Sequence, residues 1–270
     1  MSALPEAPLG AQPAADFACL FDEAGIPNIL WGLFLVTLLG GEPQDNESCI
    51  PIRVSSPPLR NPRRTYSDQH PKQDIEFVIP DDKIDLAINT ITTSGLQPCT
   101  DTECRARDLP ATAHFHFTSP YEYPNKCQGI LTLHKQSYLL WWLPSGPPII
   151  TLAPPTPDDR TLMLTTDTAE PWTGLYAVKT FTPWVFVDAL VFLMCRDMYT
   201  HPQTYEWWSG WLDAFIGLNA DYRERLRGLI DPRVREYWDA RHGYGDELWH
   251  CDVLHALRLR LVEEGGLGLF

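Results

Sequence analysis

The segment Asp74-Ile75-Glu76-Phe77-Val78-Ile79 constrains this chain more than any other. Side chains alternate along a strand, so Asp74 and Glu76 share one face while Ile75, Phe77 and Ile79 share the other. Two carboxylates on one strand face can reach a single hard cation without bending the backbone. Pro80-Asp81-Asp82 follows. Asp81 is placed to cap a helix running to about Thr93, with Ile84, Ala87, Ile88 and Ile91 on its buried side and Gly95 as its stop. Upstream, residues 28–32 (Asn28-Ile29-Leu30-Trp31-Gly32) read as a strand ending in a glycine, and 33–40 as the apolar helix after it. A glycine at such a turn lets the backbone approach a phosphate closely.

This order of elements resembles the core of the nucleotidyltransferase superfamily, the polymerase-beta-like fold, and within it fungal members with a degenerate active site. In that superfamily a strand ends in a Gly-Gly or Gly-Ser turn, a short helix follows, and an Asp-x-Asp/Glu strand comes next. The resemblance covers roughly residues 14–140. It implies an α/β (α+β) fold, with a small mixed sheet and flanking helices, followed by a helical C-terminal half. It also implies magnesium-dependent transfer of a nucleotidyl group from a nucleoside triphosphate to a small-molecule or protein acceptor. Asp74 and Glu76 would then be the catalytic metal ligands, and Gly32 would face the phosphates. Trp31, beside the turn, is the aromatic placed to touch the nucleotide. Lys135 is a candidate point cation for phosphate, although a solvated lysine at a strand end is the favoured account of it.

The chain departs from that pattern at two points. Leu33 stands where a second Gly or Ser is expected. The strand matched to the third carboxylate is His114-Phe115-His116-Phe117, with histidines in place of an acid. His116 becomes the candidate third ligand or general base, yet magnesium prefers hard oxygen ligands to imidazole. Two further readings therefore stand beside transfer. One is a degenerate fold acting as a binding or scaffold protein. The other is a tailoring enzyme of different chemistry in fungal secondary metabolism.

Cys99, Cys104, His114 and His116 also invite a zinc reading, because two cysteines and two histidines make a closed structural set. His-x-His on a strand is less usual than the helical spacing of finger-type sites. The spacing favours a polar loop with two free thiols, acting as small hydrophobes. Ten tryptophans are present. Trp208, Trp211, Leu212 and Phe215 fall on one helical face and read as core. No Walker loop, Gly-x-Gly-x-x-Gly or His-Glu-x-x-His is present in usable form.

Along its 270 residues, the chain divides into four parts. Residues 1–13 are expected to be disordered, and 14–145 to form the nucleotidyltransferase-like domain. Within that domain, 42–73 is a proline- and arginine-rich insertion without strand or helix period. Residues 146–171 read as a linker or surface loop, and 172–270 as a helical region. Helices are expected from Pro183 and over 203–217, 220–229, 232–241 and 246–263. The formal net charge of −14 argues against general nucleic-acid binding, which needs a basic surface. The apolar run Ile29–Leu39 is too short to span a membrane. No secretion signal is apparent, and seven scattered cysteines suit reduced thiols in the cytoplasm.

Overall fold

The computed structural model describes residues 11–38, 74–101, 104, 111–118, 128–142, 161–164, 174–216, 220–244, 247–265 and 267. The 42–73 insertion lies outside them, as do residues 1–10 and most of 146–171.

The fold is mixed α/β. Helix α1 (Ala11–Glu23) leads to strand β1 (Ile29–Trp31), and α2 (Gly32–Leu38) follows it directly. Strand β2 (Asp74–Ile79) is followed by a 3-10 turn (Asp81–Lys83) and α3 (Ile84–Thr93). Then come β3 (Ala113–Thr118), β4 (Gln128–Lys135), the short α4 (Gln136–Leu139), β5 (Thr161–Leu164) and β6 (Val178–Phe181). The remainder is helical: α5 (Pro183–Asp197), α6 (Pro202–Ile216), α7 (Ala220–Leu229), α8 (Pro232–Asp239), a π-turn (Ala240–Tyr244) and α9 (Glu247–Glu263).

The six strands among the described residues form one sheet in the order β3-β4-β2-β1-β6-β5. β2 runs antiparallel to β1 and parallel to β4, while β3 is antiparallel to β4. The β2–β4 parallel pair needs a crossover, and α3 lies within that connection. On the other side β1 pairs in parallel with β6, which carries β5 at the sheet edge.

Strand alternation divides the sheet into two working faces. Leu30, Ile75, Phe77, Ile79, Leu131 and Leu133 pack with α1 and α3. Phe21 meets Phe77 edge to face at 5.4 Å, which fixes α1 on that side. The opposite face carries Ile29, Trp31 and Val78, and it packs on α5 and the helices beyond. α5 is apolar nearly all round, from Val185 to Cys195. Such a helix has to be enclosed on every side. It lies between the sheet and the outer C-terminal helices, with Trp208, Leu212, Tyr237, Trp238 and Leu257 completing that core.

Several sequence expectations hold in detail. Pro183 opens α5. α8 falls where a helix over 232–241 is expected; in the structure Asp231 caps it, its carboxylate accepting from Arg233 N at 2.8 Å. Gly95, at φ +107°, ends α3. Trp208 and Leu212 are core and Trp211 packs against it, while the Phe215 side chain lies outside the described residues.

Others require correction. Helix α1 begins at Ala11, within the stretch expected to be disordered. Asp81 does not cap α3, whose N-cap is Lys83 without a side-chain bond. Its carboxylate accepts instead from the backbone N–H and hydroxyl of Ser137, tying the start of the α3 segment to α4. The apolar run Tyr138–Leu143, read from sequence as a further strand, begins instead in α4 (Gln136–Leu139), where Leu139 and the C-cap Leu140 are buried. The sheet also continues past residue 145. β5 falls within the expected linker, and β6 inserts beside β1 with all four residues buried.

Candidate functional site

The Gly32 turn and the acidic strand do come together. Trp31 and Glu76 are direct partners in the β1–β2 register. Gly32 has φ +87°, a left-handed conformation that glycine adopts without steric cost. A Cβ at this position would overlap the Glu76 carboxylate at Oε1. The glycine therefore seats a carboxylate against the first residue of α2.

Glu76 is 2% exposed. Its other oxygen, Oε2, accepts from His134 Nε2 at 2.8 Å, and His134 is itself 1% exposed. His134 stands on β4, and its register partner on β2 is Val78, whereas Glu76 is paired with Thr132. The imidazole thus reaches diagonally across the parallel pair. Among the described residues His134 Nδ1 has no hydrogen-bond partner. Asp74 lies on the same sheet face as Glu76, two residues earlier at the start of β2, and is partly buried.

The remaining sequence candidates distribute differently. His116 is not beside the acidic pair. In register, His116 pairs with Ile130 and Ile130 with Asp74, so β4 lies between them. At the usual strand spacing that separates the two backbones by roughly 10 Å. The strand next to β2 is β4, and the histidine that meets an acid is His134. Trp31 is fully buried, packed edge-on against Phe181 (5.9 Å) and Phe186 (4.6 Å), so it presents no open stacking surface. Lys135 is exposed at the end of β4, where it precedes α4.

Magnesium binds oxygen ligands in near-octahedral geometry and retains several waters. Glu76 offers such an ion little. One oxygen is bonded to an imidazole, the other lies against Gly32, and the whole side chain is enclosed. As folded, the pair supplies Asp74 as its more open carboxylate.

His114 and His116 belong to a second constellation. They share a face of edge strand β3, their rings 5.5 Å apart and nearly perpendicular. The segment after α3 folds back onto that strand. Pro98 bridges Phe115 in antiparallel fashion, and Cys99 N donates to His114 O at 2.9 Å. A turn then brings Cys104 N to Asp101 O at 3.4 Å and Cys104 Sγ to within 3.3 Å of His116 Nε2. One donor atom from each of Cys99, Cys104, His114 and His116 lies within 4.8 Å of the others.

A separate concave region of about 290 Å³ occurs where α5 meets the start of α8. Trp142, Trp184, Asp188, Ile230 and Arg233 line it. The Asp188 carboxylate accepts from Asp231 N at 2.9 Å, and the Arg233 guanidinium lies 5.0 Å from the centre of the Phe192 ring.

No helix among the described residues is long and apolar enough to cross a membrane. Compared with known proteins, the chain matches no family model, no curated protein and no solved structure.

Proposed function

We propose that this chain is a binding or scaffold protein built on a nucleotidyltransferase-like sheet, in which the acidic pair has become structural. The observation that carries this reading is the enclosure of Glu76, bonded to His134 beneath the Gly32 turn. A carboxylate in that position ties β2 to β4 and packs against the Gly32 turn at the start of α2. For it to chelate a metal bearing a triphosphate, it would first have to give up a buried hydrogen bond, which is costly in a low-dielectric interior. The cleft lined by Trp142 and Trp184 is the concave surface this reading assigns to a small ligand, since indole faces supply apolar contact area.

Magnesium-dependent nucleotidyl transfer is the second reading, and Asp74 favours it. Asp74 shares the face of Glu76 and as a residue is only partly buried, although its Oδ1 is enclosed. The test is thermal unfolding of the wild-type chain and Asp74→Ala with ATP, GTP, CTP or UTP, each with and without magnesium. The binding reading expects no stabilisation that needs both metal and nucleotide. Stabilisation that needs both and disappears in Asp74→Ala would establish the transfer site instead.

A further inference from the structure

We infer that Cys99, Cys104, His114 and His116 form a tetrahedral zinc site that clamps the segment after α3 onto edge strand β3. The chemistry of the donors comes first. Two thiolates and two imidazoles are a soft-to-borderline set that suits zinc and suits neither magnesium nor calcium. Four protein ligands fill the coordination sphere, leaving no position for water or substrate, so the metal's role here is structural.

The geometry is already close to what the ion requires. With metal–sulfur bonds of about 2.3 Å and metal–nitrogen bonds of about 2.0 Å, neighbouring ligand atoms of a tetrahedron stand roughly 3.3–3.8 Å apart. The four donor atoms lie within 4.8 Å of one another, and the Cys104 Sγ–His116 Nε2 pair is at 3.3 Å. Small side-chain rotations close the remainder. The backbone does the positioning: the Cys99 N–H bond to His114 O and the Pro98–Phe115 bridge hold the first thiol over the strand that carries both imidazoles.

The location explains what the ion would do. Among the described residues, β3 is the outermost strand on its side of the sheet. An outer strand exposes unpaired backbone groups and is a risk for edge-to-edge association. Among the described residues, the 98–99 segment covers part of that edge through the Pro98–Phe115 bridge and the Cys99 N–H bond to His114 O. A metal joining Cys99 and Cys104 to His114 and His116 fastens the cover and cross-links residues well separated in the chain. Binding energy at such sites acts as folding energy.

The test uses the full chain. Protein purified from zinc-supplemented cells, without chelator, is assayed for metal by mass spectrometry beside Cys99→Ser/Cys104→Ser, His116→Ala and Cys251→Ser. The proposal expects about one zinc per wild-type chain, as a closed four-ligand site holds. It expects the same content in Cys251→Ser, whose thiol is exposed and outside the cluster, and loss in the other two variants. Because those variants can fail to fold, wild-type protein is also stripped and reloaded with cobalt. Intense tetrahedral ligand-field bands with thiolate-to-metal charge transfer are expected, and chelation should lower the wild-type Tm. Wild-type protein without bound metal, a Cys99–Cys104 disulfide in its place, a six-coordinate cobalt spectrum, or equal zinc in every variant would each overturn the proposal.

Discussion

Glu76 on β2 and His134 on β4 are joined by a 2.8 Å hydrogen bond, although each has a different register partner on the facing strand. The bond crosses the parallel pair diagonally and lies on the sheet face that packs against α5. It makes the acidic strand part of the core. A polar pair so deeply buried contributes modest net stability but makes the loss of either partner expensive.

Gly32→Ala tests how tightly the turn is seated on that carboxylate. The substitution strains a backbone at φ +87° and drives a methyl into Glu76. We expect a loss of about 2 kcal/mol or more in urea unfolding, from the left-handed backbone and the displaced carboxylate together. In a Glu76→Ala background the steric part disappears, so the same substitution should cost less. Equal costs in both backgrounds would show that the carboxylate does not rest on the glycine.

Asp197 organises the helical half. It is fully buried and accepts from Trp208 Nε1 at 2.8 Å and from Arg196 Nε at 2.6 Å. Arg196 in turn donates to Tyr138 O at 2.6 Å and lies over the Tyr138 ring, linking α5 to α4. Asp197→Ala strands both donors in the interior, and we expect a loss of about 3–5 kcal/mol. Calorimetry should record a correspondingly lower Tm, whereas an unchanged Tm would exclude Asp197 as a link between α4, α5 and α6.

His242 makes part of the stability pH-dependent. Burial holds its pKa below the ordinary 6.5, outweighing its backbone hydrogen bond to Trp238. The ring stacks on Trp238 at 3.9 Å, and Nδ1 donates to Trp238 O at 2.8 Å. Protonation is therefore harder in the folded chain than in the unfolded one. This group's contribution is complete above its unfolded pKa and declines as pH falls through the depressed folded value. Between about pH 7 and pH 5 the wild type should lose more stability than His242→Gln. Parallel pH profiles for the two proteins would contradict this.

The sequence made local features legible and left non-local ones out of reach. The helices from Pro183 onward are legible because a proline suits the first position of α5 and the apolar residues recur at helical spacing. The two faces of β2 followed from strand alternation alone. Which strand lies beside β2 did not, because adjacency in a sheet depends on crossovers rather than on spacing. From sequence, the strand carrying His114 and His116 is accordingly matched to the acidic pair, with His116 as the candidate ligand, while His134 has no role at the end of its strand. Its phase with Thr132, two residues earlier on the same face, was the available signal. β6 escaped notice because four buried residues show no alternation. The Cys/His cluster was visible as residue types, but its convergence depends on the backbone bond from Cys99 to His114.

A double-mutant cycle measures whether the Glu76 carboxylate is committed to His134. Urea unfolding of wild type, Glu76→Ala, His134→Ala and the double variant yields the coupling between the two side chains. The account expects each single variant to lose about 3–5 kcal/mol, as breaking a buried pair does, and the double variant to lose clearly less than the sum. Single variants as stable as wild type, with strictly additive effects, would contradict it and return Glu76 to the role of an available metal ligand.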